Sequence, residues 1–274
     1  MFPVVCHYRD MPNAGNQDEA FKHVLLCGAS GTGKSTLAYY APTPLAALLL
    51  DKSSLDTPPG VDASQIFFKT YPPALVDLSN DKHGRARNIA DAIIRDIQLF
   101  RDHFTSQKKL ALPSALDSKA TEEWPTPKTL VLEGADFLSQ HILNLICVRH
   151  GKLNPSEFGN KYEAWGLRLN ELHHIYDILT YLPCNVIVTT GLHSNEEQGN
   201  VITPNLGGAM NDEGPRKFHS SLMLYADGGK HYVRTRSNAK YKGFKLGGRF
   251  GAPETIEITL DNKTNPWVKL FINP

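Results

Sequence analysis

Nine residues near the start of the chain, Gly28-Ala29-Ser30-Gly31-Thr32-Gly33-Lys34-Ser35-Thr36, fit the spacing G-x-x-x-x-G-K-[ST] and follow an apolar run at 23–27. Glycines at 28, 31 and 33 let the backbone bend through conformations closed to other residues, so that successive N–H groups turn inward on an anion. Lys34 then reaches the β- and γ-phosphates, Ser35 sets its hydroxyl on Mg²⁺, and the helix beginning near Gly33 aims the positive end of its dipole at the same place. Glycine is about 7% of average sequence, so a chance match in a chain of this length has a probability on the order of one per cent. A glycine-rich turn without a ligand has no need of a lysine and a hydroxyl at these positions. The stretch reads as a P-loop for ATP and Mg²⁺, and it demands a strand before it and a helix after it.

The rest of the chain suits that demand. Of 274 residues 41% are hydrophobic and 21% charged, material for one large α/β domain or one domain with appendages. No apolar run approaches the roughly 20 residues of a bilayer span. The N-terminus, with Arg9, Asp10, Asp18 and Glu19, lacks a signal-peptide pattern. These features point to the cytoplasm and away from a membrane. Cys6, Cys27, Cys147 and Cys184 form no C-x-x-C pair, and three lie in or beside apolar stretches, so they read as buried free thiols. The net charge of +1 hides an uneven distribution: residues 1–215 hold 18 Lys/Arg and 24 Asp/Glu, residues 216–249 hold nine and one, and the remainder two and three. A basic block of that kind suits a phosphate-rich partner, with a solvated hairpin face as the alternative.

Along the chain, residues 1–20 read as an irregular arm. The first strand is 23–27, and the P-loop helix stops at Ala41-Pro42-Thr43-Pro44. A continuous apolar run at 45–50 suits a parallel strand covered on both faces, and 65–69 a third strand. Ile89, Ile93, Ile97, Phe100 and Phe104 recur at helical spacing over about 86–104. Residues 105–127, with three prolines, read as a surface connection. Residues 129–133 form an apolar strand ending in Glu133, the pattern of a Walker B carboxylate beside the P-loop. A helix follows through Leu145, then a loop at 150–159 and a helix of about 20 residues ending at Pro183. Residues 185–190 are another buried strand, 194–217 a long polar stretch read as a functional loop, and 221–226, 230–236, 254–260 and 267–272 further strands. The domain division is an arm at 1–20, a core at 21–250 and C-terminal strands at 251–274 packed on it.

Strand, P-loop, helix, Walker B strand and a later strand with a polar end resemble the additional-strand class of P-loop ATPases. From Val186-Ile187-Val188-Thr189-Thr190 and His193, through Gly207-Gly208, to Lys217-Phe218-His219-Ser220-Ser221-Leu222 the order resembles the RecA core. Arg234-Thr235-Arg236-Ser237-Asn238-Ala239-Lys240 looks like the basic hairpin with which RecA-like filaments reach a neighbouring subunit's nucleotide. The resemblance covers residues 22 to about 250 and extends to the short phage ATP-binding proteins of single-strand annealing and recombination. It implies a RecA-like α/β core with a mainly parallel sheet and a C-terminal β-hairpin extension. It further implies ATP hydrolysis, self-association into a ring or filament, and single-stranded DNA as partner, with a recombination or replication protein alongside.

Residue by residue, the resemblance makes His193 a γ-phosphate sensor and Arg234, Arg236 or Lys240 a cation supplied to an adjacent subunit. It assigns DNA contact to Gly207, Gly208, Arg216, Lys217, Lys242, Lys245 and Arg249. Two departures stand out. The Walker B acid is Glu133 where these families usually carry aspartate. The activating glutamate expected just after the second strand is replaced by Asp51-Lys52-Ser53, so that Asp51 or Glu133 orients the attacking water, or hydrolysis is slow. A helicase or packaging motor and a slowly hydrolysing assembly factor are the alternatives.

Overall fold

The computed structural model describes residues 21–50, 57–71, 84–113, 121–160, 162–247, 252–260 and 265–271, with side chains throughout except at 84–88, 198 and 271. The arm at 1–20 lies outside the described residues. Twelve described strands and six helices follow in the order β1 (His23–Gly28), α1 (Lys34–Tyr39), β2 (Leu45–Leu49), β3 (Ile66–Thr70), α2 (Gly84–Ser106), β4 (Leu110–Pro113), β5 (Thr121–Trp124), β6 (Thr129–Glu133), α3 (Ala135–Arg149), α4 (Glu163–Thr180), β7 (Asn185–Thr190), β8 (Leu192–Asn195), β9 (Val201–Pro204), α5 (Met210–Lys217), β10 (Ser220–Asp227), β11 (Lys230–Arg234), β12 (Thr255–Ile258) and α6 (Pro266–Phe271).

Eight strands form one sheet in the order β12-β11-β10-β1-β7-β6-β2-β3. From β10 to β3 every neighbouring pair is parallel, and β11 and β12 close the other edge antiparallel. This is the mainly parallel α/β core with antiparallel C-terminal strands that the RecA-like reading expects. β7 lies between the P-loop strand β1 and the Glu133 strand β6, which is the additional strand of that class. Because side chains alternate across a strand, Leu25, Cys27, Leu48 and Val188 bury on the face covered by α2, α3 and α4. Val24, Leu26, Leu49 and Ile187 bury on the face of α1 and Trp267. Burial on both faces is why these strands are continuous apolar runs. It also isolates the thiols: Cys27, Cys147 and Cys184 are buried and unpaired, and burial pushes the Cys184 thiol up to about 12. Among the described residues no helix is long and apolar enough to cross a membrane.

Three sequence expectations are corrected. The connection at 105–127 contains the β4–β5 hairpin, which tucks Leu110, Leu112 and Trp124 under α2, with the Trp124 ring edge-on to Phe100 at 6.2 Å. The supposed strand at 267–272 is helix α6. Asn265 accepts the Trp267 N–H at 2.9 Å and Pro266 takes the first helical position, a start signal that outweighs the β-like apolar run. The stretch 194–217 is an ordered hairpin, β8 against β9, followed by α5.

Candidate nucleotide site and flanking groove

β1 delivers the chain to the carboxyl edge of the sheet, where Gly31 (φ 76°) and Gly33 (φ 90°) turn it back into α1. Gly28 is required for a different reason: a side chain there would stand 2.6 Å from the Leu224 carbonyl oxygen and 2.7 Å from Thr32 Oγ1. The turn is braced from within by Thr32 Oγ1, which donates to the Ala29 carbonyl at 2.9 Å. Lys34 Nζ donates to the Gly28 and Ala29 carbonyls, both at 2.9 Å, so its ammonium stands at the mouth of the loop. From the far edge of the sheet His231 Nδ1 meets the Thr32 carbonyl at 3.2 Å. Trp267 Nε1 donates to the Leu37 carbonyl at 2.8 Å, fastening α6 to the P-loop helix.

Glu133 ends β6 directly opposite α1. Ser35 Oγ donates to its Oε1 and Tyr39 Oη to its Oε2 at 3.0 Å, and the carboxylate is only 3% exposed. Ser35 and Tyr39 are one helical turn apart and therefore share a face. A hydroxyl and a carboxylate, both hard oxygen donors, beside a phosphate loop fit a magnesium ion. Glu133 itself is fixed by its backbone. The Leu50 N–H reaches its carbonyl at 2.9 Å, and the next N–H, of Gly134, donates to Thr189 Oγ1 at 3.2 Å. Thr190 Oγ1 donates in turn to the Asn205 carbonyl, so the end of β7 ties the Glu133 strand to the segment entering α5.

On the far side of that segment lies a groove of about 1000 Å³, lined among others by Asn154, Tyr162, Trp165, Arg168, Gly208 and Ala209. The Arg168 guanidinium lies over the Trp165 ring, 4.6 Å from its centre, and Trp165 and Tyr162 are 42% and 66% exposed. Burial lowers the pKa of Arg168, and its Nε has no protein partner.

Residues 20–243, most of the chain, match the AAA_24 family, an AAA domain. The chain belongs to the AAA_24 family. Membership makes it a P-loop ATPase by descent, in keeping with the loop and carboxylate described above. No curated protein matches the sequence of this AAA_24 chain. Among solved structures it is similar to the crystal structure of the flagellar accessory protein FlaH from Methanocaldococcus jannaschii, at 12% identity and a TM-score of 0.39 over 78% of each chain.

The remaining sequence-derived positions of the AAA_24 chain scatter. Asp51 and Arg249 lie outside the described residues. Ala29 and Ser30 are exposed at the loop tip, and Thr36 is half-buried on α1. His193 is exposed on β8, opposite Thr203 in register. Gly207 and Gly208 (φ 91° and 59°) are not a mobile tip, as expected from a DNA loop, but a packed turn. Side chains there would meet Ser139 Oγ at 2.1 Å and Arg168 Nη2 at 2.6 Å, and the Asn211 side chain accepts the Gly207 N–H at 2.8 Å. Lys217 is paired with Asp177. Arg234 is paired with Glu254, which lowers the Glu254 pKa, and its guanidinium lies 4.3 Å from the centre of the Tyr241 ring. Arg216, Arg236, Lys240, Lys242 and Lys245 are exposed. Sequence reasoning marked Thr189 and Thr190 as the polar end of β7 but missed Tyr39, Trp165 and Arg168. Only Tyr39 carried a readable signal, its four-residue spacing from Ser35.

Proposed function

We propose that this AAA_24 protein hydrolyses ATP and binds single-stranded DNA in an ATP-dependent way, acting as an oligomer in recombination, annealing or replication of the phage type. Lys34 and the loop N–H groups would neutralise phosphate charge, and Ser35 and Glu133 would hold Mg²⁺, which would supply further positive charge to the phosphates. Catalysis of this kind is mostly positioning and electrostatics, so the residues' task is to hold the phosphates still and dry. Arg236 or Lys240 of an adjacent subunit supplies the further cation, Arg234 being held by Glu254 of its own chain.

The observation that carries the DNA reading is the Trp165–Arg168 stack in the groove. An exposed indole backed by a guanidinium offers a flat π-face and a positive charge together, the combination on which unpaired bases stack without regard to sequence. The groove also has a route to the nucleotide. Ser139, against which Gly207 packs, belongs to α3, which begins one residue after Gly134; the Thr189 and Thr190 bonds join the same elements. A shift at Glu133 therefore has rigid neighbours through which to reach Gly208.

The test is anisotropy binding of a fluorescein-labelled oligo-dT with and without a non-hydrolysable ATP analogue and Mg²⁺, at two salt concentrations, beside ATPase rates with and without that DNA. Trp165→Ala is expected to weaken DNA binding by about tenfold or more, the worth of roughly one stacked base, while leaving nucleotide affinity unchanged. Nucleotide binding with no response to DNA would overturn the DNA reading in favour of the assembly factor. Translocation against a displaced strand would favour the motor.

A further inference from the structure

We infer that Tyr39 is a positioning residue for the magnesium carboxylate, and that Glu133 and Tyr39 work as a matched pair. The inference rests on the nucleotide reading above. The backbone of Glu133 is held on both sides, by Leu50 N–H at its carbonyl and by Thr189 at the following N–H. That leaves the three side-chain torsions of the glutamate to be fixed. A metal ligand free to turn about them loses affinity, because binding must then immobilise it. Two hydroxyls from one face of α1 remove that freedom: Ser35 takes Oε1, and Tyr39, a turn later, takes Oε2 at 3.0 Å. Ser35 is itself a candidate ligand and has two tasks. Tyr39 reaches the carboxylate from its other oxygen, and the ring behind that hydroxyl is packed in the core at 3% exposure, so its Oη has a fixed address.

The pairing also accounts for glutamate where aspartate is usual. Ser35 and Tyr39 are spaced by the helix, and Glu133 is set opposite them by the sheet. An aspartate, one methylene shorter, cannot meet both hydroxyls from the same backbone. A buried carboxylate with a donor on each oxygen is also the arrangement that low polarity demands, since a buried charge left with an unfilled oxygen is costly.

A purely structural tyrosine predicts a different result from a positioning one, and metal dependence separates them. The affinity of a fluorescent ATP analogue is measured with excess Mg²⁺ and with EDTA, and the ratio of the two isolates the metal's share. For Tyr39→Phe, which deletes a single oxygen, the EDTA affinity is expected to stay at the wild-type value and the Mg²⁺ enhancement to fall about tenfold, the usual effect of losing a group that orients a metal ligand. Glu133→Asp is expected to lose the enhancement on its own, and adding Tyr39→Phe to it to cost little more, because the pair has already been broken. Tyr39→Phe with a wild-type enhancement, or losses that multiply in the double variant, would overturn the inference. If Tyr39→Phe fails to fold, Glu133→Asp alone decides: full Mg²⁺ enhancement in that variant sinks the matched pair. A wild-type protein that binds no analogue at all would instead overturn the nucleotide reading on which the inference stands.

Discussion

The P-loop helix α1 has only six residues, too few to hold its shape without help, and the C-terminal helix α6 supplies part of that help. Trp267→Phe tests how much. The indole N–H donates to the Leu37 carbonyl at 2.8 Å in a buried position, and the Tyr40 N–H reaches the same carbonyl at 3.2 Å. Deleting the indole donor therefore does not orphan the carbonyl. The loss is the net worth of one hydrogen bond, about 1 kcal/mol, without the larger penalty of an unsatisfied buried group. The smaller ring also leaves a void in the cluster of Leu37, Tyr40 and Ile258, for about another 1 kcal/mol. Together these come to about 2 kcal/mol, or a melting temperature lower by about 4–8 °C for a domain of this size.

The assay is thermal melting followed by circular dichroism, with and without Mg²⁺ and an ATP analogue. Without nucleotide the variant is expected to melt in that lowered range. With saturating nucleotide much of the gap remains, because the ligand stabilises both proteins by mass action and the damage lies behind the loop, away from its N–H groups. A variant melting within about 1 °C of wild type would refute the argument, since it would show α1 holding its shape without α6.

Two further outcomes follow from the packing. Gly207→Ala places a methyl 2.1 Å from Ser139 Oγ at a backbone φ of 91°, and is expected to destabilise by about 2–4 kcal/mol in a denaturant titration, left-handed strain adding to overpacking; Ser139→Gly should recover only the steric part, and a fully stable Gly207→Ala would contradict the packed turn. Burial lowers the pKa of His23 and of His219, whose Nε2 has no protein partner. Their folded values thus lie below the unfolded value of 6.5, the unfolded chain binds more protons, and the stability they leave intact above about pH 6.5 is lost as the pH falls through the folded values. The denaturant midpoint is expected to drop between pH 7.5 and 5.5, and to drop less in a His23→Asn, His219→Asn variant; a midpoint that holds or rises would contradict this.

What could be read from the sequence was local. The P-loop needs nothing but its own nine residues, and β1, β2, β6 and β7 announce themselves because burial on both faces leaves continuous apolar runs. α2 was legible for the complementary reason, its isoleucines keeping the helical period from Ile89 to Ile97. The failures lie where the signal is short or distant. Leu110, Leu112 and Trp124 alternate correctly for two strands, but four-residue strands amid prolines look like a connection until α2 is there to cover them. Trp267 to Phe271 is apolar but for Lys269 and shows no period, and only the Asn265-Pro266 start decides for a helix. The groove is further out of reach. Arg168 and Gly208 are forty positions apart, and nothing in either neighbourhood says that a guanidinium will rest on that backbone.

The basic block shows why a window of sequence misstates a surface. Counted along the chain, residues 216–249 carry nine cations against one acid. Folding sets Lys217 beside Asp177, Arg234 beside Glu254 and Lys230 beside Glu257, three acids that all lie outside the window. These pairs arise because β11 lies against β12 and α5 against α4, neighbours that sequence order keeps apart. Among the described residues, what remains for a polyanion is the exposed set Arg216, Arg236, Lys240, Lys242 and Lys245, of which Arg236 and Lys245 are themselves brought together by a bridge between their backbones. A smaller, more concentrated positive surface binds phosphate with a shallower dependence on salt than nine separate cations would give. It leaves more of the work to stacking in the groove, and so it is Trp165 and Arg168, uncharged or half-hidden in any count of charges, on which the DNA reading most depends.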